Sequence, residues 1–195
     1  MRMNVIPALI GFSEKNGQWF AEGVSLAQLA KDFGTPLYVY SKEAICSAYR
    51  AYDAACIRPN GTRRARIHYA MKANSNLAVL DELKQLGAGF DLVSGGELAR
   101  ALHIGADPKS LVFAGVGKSS IEIEDALRTG VKCINVESIP ELHRINTIAK
   151  KLSLRAPISL RVNPDVDANT HPYISTGLKD NKFGIAYHEV LKTYR

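Results

Sequence analysis

A chain of 195 residues that is 46% hydrophobic and 23% charged can bury a real core, which excludes a disordered polypeptide and sets the scale at one large domain or one domain plus a piece. The net charge of +6 comes from scattered basic residues, densest at Arg63, Arg64 and Arg66 and again at Lys150, Lys151 and Arg155. With no aromatic interleaving this reads as a solvated face rather than a nucleic-acid surface, and it also suits an anionic small ligand. Cys46, Cys56 and Cys133 match no zinc or CxxC spacing and imply no disulfide framework, so a reduced, cytoplasmic compartment is expected. The five histidines show no ligand spacing, and no metal site is expected.

In chain order, the first apolar piece is "VIPALIGF" (5–12), interrupted by Pro7 and followed by Glu14 and Lys15. It is too short for a membrane span or a signal peptide. The first ~25 residues follow no clear repeat. After them β-rich runs recur: "PLYVY" (36–40), "ARIHYAM" (65–71), "GFDLV" (89–93), "SLVFA" (110–114), "KCINV" (132–136) and "PISLRV" (157–162). A helical pattern follows each. Ile45, Ala48, Tyr49 and Tyr52 share one helical face, as do Val79, Leu80, Leu83 and Leu86, and Gly87 supplies a stop. Ser25 with Gln28, Ser94 with Glu97, Ser119 with Glu122 and Ser138 with Glu141 have the spacing of a capping box, in which each side chain satisfies the other's free amide. Strand, cap, helix and glycine alternate, which predicts an α/β fold with parallel strands and right-handed crossovers. The periodicity does not choose between a closed (β/α) barrel and an open doubly wound sheet.

In either architecture ligands bind at the carboxyl ends of the strands. Lys72 sits at such an end, in "IHYAMKANSN" (67–76). Two readings stand: a strand-end lysine that snorkels to solvent, and a desolvated amine able to attack a carbonyl. Asp91 interrupts "GFDLV" and Arg161 interrupts "ISLRVN", so both charges need partners if these strands are central; ion pairs and ligand contacts are equally open. Glu97 has a structural role in its capping box, and the glycine pair before it would also let a ligand approach the backbone. "VFAGVGKSS" (112–120) is glycine-rich after a strand yet matches neither GxGxxG nor GxxxxGK[ST]. A flexible loop near the site mouth is the better expectation.

At this point several motifs, met in order along nearly the whole chain, carry a family resemblance. "YAMKANSN" (69–76), "GAGFDLVSGGEL" (87–98), "FAGVGKS" (113–119), "NVES" (135–138) and "LRVNPDVDANTHPYISTGLKDNKFGI" (160–185) together resemble the diaminopimelate decarboxylases. These belong to the wider fold-type III group that also holds the ornithine and arginine decarboxylases. Tyr-Ala-x-Lys is shared across that group, whereas the long run from Leu160 to Ile185 is the specific part. The resemblance implies a pyridoxal 5′-phosphate enzyme with a TIM-type (β/α)8 barrel joined to a β-rich domain. Residues 1–35 would contribute to the β-rich domain, and 36–195 would form an incomplete barrel of roughly six of eight strands. Lys72 aligns with the lysine that holds the cofactor covalently. Asp91, Glu97 and Arg161 fall at polar positions around the cofactor.

The reaction implied is meso-2,6-diaminopimelate to L-lysine and CO2. The partners implied are that small molecule and a second copy of the chain in a homodimer, with Lys182 a candidate for subunit contact; neither a nucleic acid nor a membrane is expected. The chain stops at "YHEVLKTYR" (187–195), before the family's phosphate-binding segment and Glu-Pro-Gly-Arg motif, so a fragment of at best weak activity is expected. The competing readings are an ornithine or arginine decarboxylase of the same fold and a non-catalytic relative; retention of Lys72 argues against the latter.

Overall fold

The computed structural model describes residues 10–163 and 183–194. They divide into two compact units. The first takes the described residues up to Ile67 together with Asp81–Gly87, and the second takes His68–Leu80 with the described residues from Ala88 onward.

The first unit begins with an antiparallel meander of β1 (Phe12–Lys15), β2 (Gln18–Ala21) and β3 (Val24–Ser25), in that order. Asn16 and Gly17 form its first turn with φ of 52° and 73°, and Lys15 pairs with Gln18. A two-residue turn with both φ positive matches the twist of the flanking strands, which is why Asn-Gly is favoured there. Helix α1 (Leu26–Phe33) follows directly, its first turn capped by the Ser25 hydroxyl. Helix α2 (Lys42–Ala55) is capped by Ser41, whose Oγ accepts from the Ala44 amide at 3.0 Å and donates to Glu22 Oε1 at 2.7 Å. The same Glu22 oxygen accepts from the Glu43 amide at 2.9 Å, so one carboxylate ties the β2–β3 turn to the start of α2. That backbone donor, and then the Ser41 hydroxyl, hold its carboxyl below the usual range.

One expected strand is missing. Residues 36–40, "PLYVY", form no strand, and Tyr38 is 86% exposed. A β-prone run becomes a strand only where an edge pairs with it and a surface covers it.

The second unit is a five-stranded, wholly parallel sheet of β4 (His68–Ala70), β5 (Gly89–Leu92), β6 (Leu111–Phe113), β7 (Cys133–Val136) and β8 (Ile158–Leu160). Spatial order equals chain order. With no reversal there is no switch point of the doubly wound kind, so the sheet is a piece of barrel wall. Helix α3 (Leu77–Gln85) begins in this unit, and α4 (Gly95–His103), α5 (Ser120–Thr129) and α6 (Ile139–Lys151) follow β5, β6 and β7. After β8 a single residue, Arg161, leads into β9 (Val162–Asn163), which pairs in parallel with β10 (Ile185–Ala186). The short α7 (Val190–Tyr194) comes last.

The strands divide their side chains by alternation. Phe90, Leu92, Leu111, Phe113, Ile134 and Val136 are fully buried, and Phe90 pairs with Leu111 and Phe113 with Ile134. Each such side chain contributes about 1.5–3 kcal/mol on burial. The alternate row runs Ala70, Asp91, Val112, Cys133, with Asn135 beside Ser159. One face of the sheet is therefore core, and the other carries polar groups. Among the described residues no helix is long and apolar enough to cross a membrane.

Candidate active site

The strand β4 ends in a single 3-10 turn, Met71–Ala73, in which Met71 is fully buried and Lys72 is exposed. The polar run after Lys72 has a local purpose. The Tyr69 hydroxyl donates to the Asn74 carbonyl at 3.2 Å, Asn74 Oδ1 accepts from the Asn76 amide at 3.0 Å, and Asn76 Oδ1 accepts from the Ala78 amide at 2.9 Å. Arg100 adds a bond from Nη1 to the Ser75 carbonyl at 3.1 Å. Short amide side chains that bond two residues ahead fold the chain sharply, leaving the lysine on the outside of the turn. The desolvated lysine of the second sequence reading is not what this geometry holds: the amine stands in solvent beyond the strand end.

Asp91 occupies the polar row of β5 and is half-buried. Burial pushes its carboxyl above the usual range; the Lys72 and then the His68 charges pull it back, and the Glu137 carboxylate adds to the rise. Glu137 itself is 6% exposed, one residue past β7, and its Oε2 accepts from Arg161 Nη1 at 2.8 Å. The Arg161 guanidinium also lies 5.6 Å from the centre of the Phe183 ring, within cation–π range. A cavity of about 360 Å³ opens among Lys72, Asp91, Asn135, Glu137, Ser159 and Arg161. It sits at the carboxyl ends of the strands, where parallel sheets bind ligands, and its size suits a small molecule.

Three of the four expected site residues, Lys72, Asp91 and Arg161, thus meet at one cavity. Glu97 stands behind a wall of it: its Oε2 accepts from the amide of Val93, which does line the cavity, at 2.7 Å. The cap there differs from the expected box. Ser94 Oγ accepts from the Glu97 amide at 3.2 Å, but the returning carboxylate takes the amide one residue before the cap. Ser138 and Glu141 do the same, Glu141 Oε2 accepting from the Glu137 amide at 2.7 Å. Ser25 and Gln28 also fail to close a box, because the Gln28 side chain turns to Asp32. Only Ser119 and Glu122 form a full box, and Glu122 Oε1 also accepts from the Gly95 amide at 2.7 Å. That carboxylate reaches from α5 to the amino end of α4, and the Ser119 and then the Gly95 amide hold it below the usual range.

The loop 112–120 corrects a second expectation. It does lie at the cavity, which Ala114 and Gly115 line, but it is tied down: Lys118 is buried, donates to the Gly115 carbonyl at 2.5 Å and pairs with Glu141 Oε1 at 3.1 Å. Lys182 and the run 164–182 lie outside the described residues.

Sequence reasoning missed Glu137, Asn135 and Ser159 as site residues. Ser159 Oγ donates to Asn135 Oδ1 at 2.5 Å on the cavity floor. The signal was the polar alternation Cys133, Asn135, Glu137 against Ile134 and Val136 in "CINVE". Among the described residues no group of three or more His, Cys, Asp or Glu side chains is placed to hold a metal.

Comparison with known proteins fits this geometry. Residues 43–195 match the family described as "Pyridoxal-dependent decarboxylase, pyridoxal binding domain". The chain is 54% identical over 182 residues to the diaminopimelate decarboxylase of Vibrio cholerae, covering 93% of this chain and 43% of that protein. The solved diaminopimelate decarboxylase of M. jannaschii superposes with a TM-score of 0.84 at 41% identity, over 94% of this chain and 43% of that one. That of Helicobacter pylori, complexed with L-lysine, superposes with a TM-score of 0.79 at 48% identity, over 86% and 42%. The chain spans about two-fifths of the length of these relatives.

Proposed function

The chain belongs to the pyridoxal-dependent decarboxylases, matching their pyridoxal-binding domain, and from that premise we propose that it carries the cofactor side of a diaminopimelate decarboxylase. In this reading Lys72 is the covalent anchor of pyridoxal 5′-phosphate, and the whole enzyme converts meso-2,6-diaminopimelate to L-lysine and CO2. The observation that carries it is the meeting of Lys72, Asp91 and Arg161 at one cavity on the carboxyl side of a parallel sheet. The choice of substrate is supported by the identity of 54% to the Vibrio cholerae enzyme and by the L-lysine complex of the Helicobacter pylori relative.

The residues present fit the cofactor. Its aldehyde needs a reachable amine, and Lys72 is exposed on a rigid turn at the cavity mouth. Its anionic oxygens suit a wall that carries both Lys72 and Arg161. When bound, pyridoxal phosphate supplies the electron sink that accepts the pair released as the bond to CO2 breaks.

The chain's own residues do the rest. Lys72 Nζ would hold the cofactor covalently and, when not so engaged, would be a group able to hold a proton at the cavity. Asp91 lines the same cavity as Lys72 and lies close enough for the two charges to interact. Burial raises its carboxyl above the usual range, against the pull of Lys72, so it binds a proton more readily than a solvent-exposed aspartate would. Arg161 brings a guanidinium to the cavity, where it would balance anionic oxygens of the cofactor or a carboxylate of the substrate. Glu97 supports this shell by fixing the Val93 amide. The same reading takes the enzyme as a cytoplasmic homodimer with Lys182 at the subunit contact, as the family resemblance implies.

The test is borohydride reduction of the full-length protein with pyridoxal phosphate, followed by peptide mass mapping. The label is expected on Lys72, and a label on another lysine overturns the assignment. Turnover of meso-diaminopimelate, ornithine and arginine compared side by side tests the substrate.

A further inference from the structure

Resting on the reading of this cavity as the cofactor pocket, we infer that Glu137 is the residue that positions Arg161 in it, itself held from behind by Glu141 and Lys118. Arginine has a long, freely rotating stem, and Arg161 sits at the end of a strand with its side chain 42% exposed. Left alone, such a side chain samples many rotamers. Its Nη1 is instead bonded to Glu137 Oε2 at 2.8 Å, and the guanidinium lies 5.6 Å from the centre of the Phe183 ring.

Glu137 is suited to the task because nearly all of it is buried. A buried carboxylate is costly unless paired, so Arg161 has one strongly favoured position, the one that meets it. The backbones of both partners are pinned as well. The Glu137 carbonyl accepts from the Gly184 amide at 3.2 Å, and the Arg161 carbonyl accepts from the Ile185 amide at 2.7 Å.

Behind Glu137 stands a second buried pair. Glu141 Oε2 grips the Glu137 amide at 2.7 Å while its Oε1 pairs with Lys118, whose side chain has no exposure at all. Lys118 also takes the Gly115 carbonyl, and Gly115 lines the same cavity. One buried lysine therefore links two walls of the pocket to the carboxylate that aims the arginine. A pair kept only for stability would need neither an exposed partner nor a place at the cavity rim.

The experiment uses the full-length protein and the variants Glu137→Ala, Glu137→Gln, Arg161→Ala and the double variant Glu137→Ala/Arg161→Ala. Phenylglyoxal modification of Arg161, followed by peptide mass mapping without cofactor, reads how tightly the guanidinium is held. It should speed up several-fold in Glu137→Ala and less in Glu137→Gln, which keeps an acceptor oxygen. The Kd for pyridoxal phosphate, from absorbance titration, should weaken by about tenfold in Glu137→Ala. In the double variant it should be no weaker than in Arg161→Ala alone, because the effect of Glu137 runs through Arg161.

An unchanged modification rate at Arg161 overturns the inference, as does a double variant whose loss is the product of the two single losses. If Glu137→Ala fails to fold, Glu137→Gln carries both comparisons. Wild-type protein that forms no adduct at Lys72 brings down the functional reading, while the modification rates still decide whether Glu137 holds Arg161.

Discussion

Two strand-to-helix turns of the parallel sheet use one backbone device for different ends. In the turn from β5 to α4, Glu97 reaches back to the Val93 amide at 2.7 Å, and in the turn from β7 to α6, Glu141 reaches back to the Glu137 amide at the same 2.7 Å. Both carboxylates pass over the capping serine to the residue before it, and in both turns that residue lines the cavity. The difference lies in what is presented and in what stands behind. The first turn presents an apolar Val93 on a half-buried Glu97, whereas the second presents the charged Glu137 on a Glu141 that is buried and paired with Lys118. The capping device aims a residue at the cavity, and the side chain at that position sets the chemistry. A charged side chain there needs a stronger foundation than an apolar one.

The largest expected effect separates the two foundations. Glu141→Ala strands the Lys118 ammonium in the interior, and removing one partner of a buried pair costs about 3–5 kcal/mol. Urea unfolding should show this loss, and the double change Lys118→Met/Glu141→Leu should recover the part due to the stranded charge but not the bonds to the Glu137 amide and the Gly115 carbonyl. A double variant as unstable as Glu141→Ala would show that the charges themselves hold this turn together.

Glu97→Ala should cost less. It removes one charge-assisted bond to the Val93 amide, worth about 1.5–3 kcal/mol, and leaves no buried charge behind. The cost in urea should be clearly smaller than for Glu141→Ala. Equal losses would mean that the two turns are equivalent supports, and the distinction between them would fall.

The same pair of turns shows what can be read from a sequence here. That Lys72, Asp91 and Arg161 would share one mouth was legible because a charged residue at or just past an apolar strand is a local pattern and parallel strands bring such positions together. Any role for them came only from the family resemblance. Serine three residues before glutamate correctly marked the helix starts. The amide each glutamate takes was not legible, because it depends on how the turn presents its backbone. Glu137 was hidden beside Ser138 as one more acid near a helix start, and its partner Arg161 lies 24 residues away and meets it only through the next strand. Lys118 likewise read as a loop lysine until α6 brought Glu141 against it. "PLYVY" misled in the opposite sense, since its composition suits a strand but no partner strand pairs with it among the described residues.

The smallest effect concerns the acid that faces both turns. Asp91 sits on β5, and burial, with a further push from Glu137, sets its carboxyl above the usual value against the pull of Lys72 and His68. Between the ordinary value and the raised one, the folded protein keeps a proton that the unfolded chain has released. The folded state binds more protons there, so this group lowers stability as pH rises through the window, and the cost persists above it. Asp91→Asn has no such proton to lose. In cofactor-free protein its urea midpoint should therefore exceed that of wild type near neutral pH, with the advantage fading as the pH falls below the ordinary carboxylate range. Adding Glu137→Gln removes one of the pushes on Asp91 in the wild-type background, so the pH-dependent gap between Asp91 and its asparagine variant should narrow there. A gap that stays constant with pH would mean that Lys72 and His68 cancel burial and the Asp91 carboxyl is not shifted, and one that widens in acid would mean that they outweigh it and hold the carboxyl down.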